Sequence, residues 1–134
     1  MTDFFEKSDL SRNNAEKIVS DTLNKCDDGE LYLEDTKSES IILDDNKIKN
    51  SSYSSDLGFG FRAISDEIVA YSHSNEISKD SLKQSSESLK STLKSTKGIY
   101  NHSIPKSNKK FYENINPLEQ KSLNEKIEIL NKVN

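Results

Sequence analysis

Between Asp56 and Ser65, apolar side chains fall on every second position, at Leu57, Phe59, Phe61 and Ala63. That is the period of a strand buried on one face. The other face carries Gly58, Gly60 and Arg62. Two glycines on one strand face predict a close approach by another element, or a bend. A shorter alternation marks Glu30–Glu34, with Leu31 and Leu33 on one face and Tyr32 on the other. Ser38–Leu43, Lys47–Tyr53 and Ile68–Ser72 bring the predicted strands to five. Asp44-Asp45-Asn46 and Ser65-Asp66-Glu67 read as tight turns, because short polar side chains bond their own backbone and tolerate left-handed geometry. Connections this short favour antiparallel pairing, since parallel neighbours need crossovers of about a dozen residues.

Helical spacing flanks this strand region. Ser11 caps a predicted helix to about Lys25, with Ala15, Ile18, Val19 and Leu23 recurring at the helical period. Ser78 opens a second helix to about Ser95, with Asp80 in the first turn, where the helix dipole favours a negative charge. Its buried face is sparse: Leu82, Leu89 and Leu93, with the small hydroxyls of Ser85 and Ser86 between. Thr96–Asn116 reads as irregular. Ser122-Leu123-Asn124-Glu125 is a capping box that starts a last helix, with Leu123, Ile127, Leu130 and Val133 on one stripe. That helix meets the chain end without a capping residue, so the expectation is a polypeptide that continues.

Composition narrows the class. Of 134 residues, 31% are hydrophobic and 31% charged, which predicts a lean core. A formal net charge of -4 gives no long-range attraction to nucleic acid or anionic lipid. Cys26 is the single cysteine, which excludes an internal disulfide and fits a reducing compartment. No apolar run approaches the roughly 20 residues that span a bilayer, and the N-terminus lacks the basic and apolar regions of a secretory signal. The expected location is cytoplasmic, with neither nucleic acid nor membrane as partner. Asn50-Ser51-Ser52 and Asn101-His102-Ser103 match the glycosylation sequon, which is idle without secretion.

The candidate chemistry is thin. Gly58-Phe59-Gly60-Phe61-Arg62-Ala63 fits a dinucleotide pattern formally, but that motif must join a strand to a helix. Here the alternation runs through the glycines into a turn and another strand. His73 and His102 are far apart, and neither has a partner at ligand spacing, whereas a catalytic zinc site takes three protein ligands. Cys26 follows a helix, while activated thiolates favour helix N-termini and cationic neighbours. The acidic pairs Asp27-Asp28, Glu34-Asp35 and Asp44-Asp45 sit at element ends, where carboxylates are ordinarily solvated. Arg62 either pairs with local acids or offers a fork to a carboxylate; the local pairing is the preferred reading.

Taken in order, several segments resemble the N-terminal domain of the TldD/PmbA family, and more closely its TldD branch. Asp28-Gly29-Glu30-Leu31-Tyr32-Leu33-Glu34 resembles its opening strand. Glu39-Ser40-Ile41-Ile42-Leu43-Asp44-Asp45 resembles its E-S-x-x-L-E-D strand and turn, and Lys47-Ile48-Lys49 with Ser52-Tyr53 the next strand. Asp56 through Ser65 resembles its D-x-G-x-G-x-R-A-I-S signature. Tyr71-Ser72, then Ile77 through Leu82, resemble the strand and helix that follow. Near the end, Phe111-Tyr112, Asn116-Pro117-Leu118 and Glu125 through Leu130 resemble its Y-x-x-x-x-P-L and E-K-x-x-I-L pieces. Phe59 and Phe61 are bulkier than the valines expected there, and the first helix matches only loosely.

The resemblance implies a zinc metallopeptidase acting on unfolded or flexible peptides, assembled from TldD-like and PmbA-like (TldE) subunits or as a homo-oligomer. The family's H-E-x-x-x-H helix has no counterpart in this sequence. No catalytic or metal residue is therefore carried over, and the segment is expected to be inactive alone, as an N-terminal fragment or truncated copy. Gly58, Gly60 and Arg62 are its signature residues, structural and open to peptide contact. The expected fold is α+β: a curved, mostly antiparallel sheet of about five strands with helices on one face. Residues 1–95 form the TldD-like domain, and 96–134 an irregular connector and the start of a further helix. The implied role is to shape a substrate cavity and a subunit interface, with Lys47–Tyr53 as the edge to which an extended peptide could add. The alternative is a stand-alone binding or scaffold domain without chemistry.

Overall fold

The computed structural model describes residues 4–6, 8–96, 113 and 115–133. The element order is α1 (Arg12–Leu23), β1 (Asp28–Asp44), β2 (Lys47–Ser65), β3 (Ile68–Ser74), α2 (Lys79–Thr92), a 3-10 turn (Pro117–Glu119) and α3 (Leu123–Val133). The fold is α+β, as expected. The strands form one antiparallel sheet in the order β1-β2-β3.

The described residues form three strands, not about five. The predicted strands Glu30–Glu34 and Ser38–Leu43 are one continuous β1, and Lys47–Tyr53 and the glycine strand are one continuous β2. The stretches that looked like breaks, Asp35-Thr36-Lys37 and Ser54-Ser55, contain neither glycine nor proline. Polar residues in an exposed ribbon leave its backbone ladder intact, so loss of apolar alternation is not loss of strand. The true turns are those where the backbone must enter the left-handed region. Asp45 and Asn46 have φ of 52° and 57° and Asp66 has φ of 53°, and short Asx side chains accept that geometry better than most.

The helix caps form where the local signals placed them. Ser11 accepts the Asn14 N–H at 3.3 Å, and Ser78 accepts the Ser81 N–H at 3.1 Å. Ser122 and Glu125 cap each other: Glu125 Oε2 accepts the Ser122 N–H at 2.7 Å, and Ser122 Oγ accepts the Glu125 N–H at 3.3 Å. The greater part of the predicted irregular stretch Thr96–Asn116, with His102 and the Asn101 sequon, lies outside the described residues.

The chain divides into two compact units. The larger takes in described residues 4–35 and 56–96. Here α1 and α2 cover one face of the sheet, and Leu10, Leu23, Phe61, Leu82 and Leu89 are fully enclosed. Phe59, Phe61 and Ala63 point into this core, which explains the alternation read from the sequence. Hydroxyls join the layers: Thr22 of α1 bonds Ser86 of α2 at 2.6 Å, and Ser72 of β3 donates to Ser85 of α2 at 3.0 Å. The smaller unit takes in 36–55 and 113–133, the far halves of β1 and β2 together with the 3-10 turn and α3.

Candidate functional site

The glycine face of β2 looks away from the helices. Antiparallel register sets its neighbours on β3: Gly60 lies opposite His73, and Arg62 opposite Tyr71. Neither glycine has a positive φ, so both are there for space. A Cβ at Gly58 would stand 2.6 Å from the Ser74 carbonyl oxygen and 3.3 Å from Asn75 Cα, where β3 leaves the sheet. A Cβ at Gly60 would stand 2.7 Å from the Tyr71 hydroxyl and 3.2 Å from its Cε2. Tyr71 thus lies diagonally across Gly60, and its ring stacks on His73 with centroids 6.0 Å apart. Aromatic cover of a strand glycine supplies contacts that the missing side chain does not.

Arg62 reaches the other way, to β1. Its Nε donates to Glu30 Oε1 at 3.0 Å, and its terminal nitrogen lies 3.5 Å from Asp28 Oδ2. Both carboxylates are well exposed, so each contact contributes only about 0.2–1 kcal/mol; the guanidinium mainly fixes its own position. Below it, Asp27 Oδ2 accepts the Asp66 N–H at 2.7 Å, and the Asp27 N–H donates to the Ile64 carbonyl at 2.7 Å. These two bonds tie the start of β1 to the turn after β2. Tyr32, Val69 and Tyr71 are exposed in the same unit.

The other candidates scatter. Cys26 is buried after α1, and its Sγ lies 3.7 Å from the Thr22 carbonyl. Burial pushes its thiol pKa up, and the neighbouring Asp27 charge adds to this. A buried neutral thiol is a poor nucleophile. Asp44 pairs with Lys49 at 2.8 Å on the surface. Among the described residues no three His, Cys, Asp or Glu side chains form a group that could hold a metal ion. The described residues thus do not fit the metal that a metallopeptidase uses.

A second feature is backbone rather than side chain. β3 pairs β2 only from Phe59 to Ser65. From Lys47 to Leu57, β2 therefore has β1 on one side and no described strand on the other, and every one of these residues is exposed. Its N–H and C=O groups on that side are free to pair with another extended chain. Reading the sequence alone missed Tyr71 and Ser74 as the neighbours of the two glycines. The two-residue turn between β2 and β3 carried that signal, since it fixes the register that brings them together.

Residues 29–96 match the family model described as PmbA/TldA metallopeptidase domain 1. The chain is 36% identical over 111 residues to "Metalloprotease TldD homolog" of Buchnera aphidicola subsp. Acyrthosiphon pisum, covering 82% of this chain and 23% of that protein. It is 34% identical over 111 residues to the protein of the same name from Buchnera aphidicola subsp. Schizaphis graminum, with the same coverage. To "Metalloprotease TldD homolog" of Haemophilus influenzae it is 33% identical over 113 residues, covering 80% of this chain and 23% of that protein. The chain therefore spans about a quarter of the length of these relatives. No helix of the described residues is long and apolar enough to cross a membrane. With half of its length matched by the family model and its signature strand inside that match, the chain belongs to the PmbA/TldD metallopeptidase family, its residues 29–96 matching domain 1.

Proposed function

We propose that this chain acts as the first domain of a TldD-type zinc metallopeptidase and contributes to its substrate cavity and subunit interface. Residues 1–95 form the domain proper, and 96–134 lead toward the catalytic part. The observation that supports a substrate role is the open edge of β2 from Lys47 to Leu57. An unfolded peptide adds there as a further strand: main-chain hydrogen bonds supply affinity and alternate side chains supply selection. Gly58, Gly60 and Arg62 belong to the same strand β2 and are the family-signature residues open to peptide contact. In this reading the peptide is held here and cut by zinc chemistry housed in the catalytic part, with a PmbA/TldE-like sister subunit or a second copy completing the assembly.

The direct test is hydrogen exchange on the chain with and without an unfolded peptide in excess. The expected result is slowed exchange of amides between Lys47 and Leu57. A peptide N-methylated at alternate positions should lose the effect, because it lacks the N–H groups that strand pairing uses. No protection anywhere from Lys47 to Ser74 would sink strand addition.

The second reading is a binding or scaffold domain without chemistry. A peptidase assay on the 134-residue chain, with and without added zinc, should show no turnover under either reading. The readings part at the level of the assembly, where removal of zinc should abolish cleavage only if the first holds.

A further inference from the structure

The C-terminal ends of α1 and α2, with the residues just after them, line a cavity of about 480 Å³ in the larger unit. That volume lies within the roughly 300–1,000 Å³ of small-molecule sites. Cys26 and Leu93, both buried, give it an apolar wall. Lys25, Lys90 and Lys94 line it as well, against one carboxylate, Asp21.

Helix-end lysines ordinarily answer the carbonyls that a last turn leaves open. Here the carbonyls of Leu23, Lys25 and Leu93 have donors of their own. The first accepts the Cys26 N–H at 2.9 Å, and the second accepts the Ser65 hydroxyl at 3.3 Å. The third accepts the Thr96 N–H at 3.1 Å and the Thr96 hydroxyl at 2.8 Å. Among the described residues no ion pair engages Lys25, Lys90 or Lys94. Three cations thus gather at one cavity with neither a cap nor a salt bridge to account for them.

Charge decides what the cavity prefers. The three ammonium groups outweigh Asp21 and two helix C-termini worth about half a negative charge each. The balance is positive in a chain whose formal net charge is -4, and a concave, low-dielectric wall concentrates such a field. Exposed lysines hold a bare ion weakly, because water screens them. An apolar body on the ion adds burial against Cys26 and Leu93.

We propose that this cavity binds a small organic anion, a carboxylate or phosphate monoester carried on a short apolar body. The head pairs with the lysine ammonium groups, whose compact charges on flexible stems suit either oxyanion. The body lies against Cys26 and Leu93. No residue of β2 lines the cavity, so the site does not depend on strand addition.

Amide NMR of the 134-residue chain tests this, with hexanoate, hexyl phosphate, inorganic phosphate and hexylamine as probes. Hexanoate, hexyl phosphate or both should give saturable shifts confined to 21–26 and 89–96, with a Kd no weaker than about 1 mM. A response to one anion alone identifies the head as carboxylate or phosphate ester. Hexylamine and inorganic phosphate should bind at least about tenfold more weakly, and added salt should weaken the organic anions. Lys90→Glu combined with Lys94→Glu should lower their affinity at least about tenfold. The urea midpoint should stay where it is, since both lysines are exposed. If that pair disturbs the fold, Lys25→Gln gives a second reading in the same direction. The proposal falls if neither organic anion shifts these segments saturably, or if charge reversal leaves their affinity unchanged. It also falls if hexylamine binds as tightly, which makes the cavity merely apolar, or if inorganic phosphate does, which makes it an unselective ion site.

Discussion

Tyr71 occupies the space that a side chain at Gly60 would fill, its hydroxyl 2.7 Å from where that Cβ would stand. Gly58 has a different obstacle, the Ser74 backbone carbonyl at 2.6 Å. A side chain that is 64% exposed can swing aside; a backbone carbonyl within a paired strand cannot. Gly58→Ala should therefore cost about 1–3 kcal/mol, in the range of overpacking. Gly60→Ala should fall within about 0.5 kcal/mol of neutral, because displacing Tyr71 is offset by the backbone entropy that alanine saves. In a Tyr71→Ala background, Gly60→Ala should become stabilising. Urea unfolding of the four variants checks the order; equal losses at both glycines would contradict it.

The Thr22 hydroxyl has one hydrogen, and it goes to the Ile18 carbonyl at 2.6 Å. The 2.6 Å contact with Ser86 must then have Ser86 as donor. Both residues are about 95% buried, so removing the acceptor strands a hydroxyl donor between α1 and α2. Thr22→Val should cost about 1–3 kcal/mol. Ser86→Ala should cost less, since Thr22 keeps its own donor bond and alanine favours the helix. The double variant should recover part of the Thr22→Val loss. Simple additivity in a double-mutant cycle would mean that the two hydroxyls do not depend on each other.

What could be read from the sequence was what is local. Ser11, Ser78 and Ser122 cap within three residues of themselves, so their helix starts were legible. The alternation at Phe59, Phe61 and Ala63 named the core face of β2 because burial acts residue by residue. Strand boundaries were less legible, since Ser54-Ser55 and Asp35-Thr36-Lys37 are extended through pairing with the opposite strand and not through their own apolar pattern. The contacts of the glycine face required the β2–β3 register. The Glu39–Lys126 pair joins residues 87 apart, and no local signal points to it.

Cys26 gives a pH dependence with a definite sign. Its thiol is pushed above the ordinary range, chiefly by burial and then by Asp27. A folded value above the unfolded one means that the neutral thiol stabilises the fold fully below the unfolded value, about 8.5. That contribution is lost as the pH rises toward the folded value. Cys26→Ala should therefore flatten the alkaline limb of the stability curve. Reaction with a disulfide reagent at pH 8 should be slow in buffer and fast in urea. Reaction as fast as that of a free thiol in buffer would show that the thiol is not shielded.

Glu125 carries the opposite sign. Its carboxylate accepts the Ser122 N–H at 2.7 Å and the Ser122 hydroxyl at 2.8 Å, and these bonds, the backbone one foremost, hold its pKa below the ordinary glutamate value. The charged form is the one the cap needs. Its contribution is present above the unfolded value, about 4.3, and is lost as the pH falls through the lowered folded value. Acidification should therefore fray the first turn of α3 while leaving α1, capped by the neutral hydroxyl of Ser11, unchanged. Carboxyl-carbon NMR of Glu125, followed with the backbone shifts of Leu123–Ile127, reads both events. The two should share one midpoint, displaced below that of an unbonded glutamate. In Glu125→Gln the amide oxygen can still accept the Ser122 N–H but carries no titratable charge, so the helical shifts should no longer respond to pH in this window. A response that survives in Glu125→Gln would assign the acid sensitivity of α3 to another group.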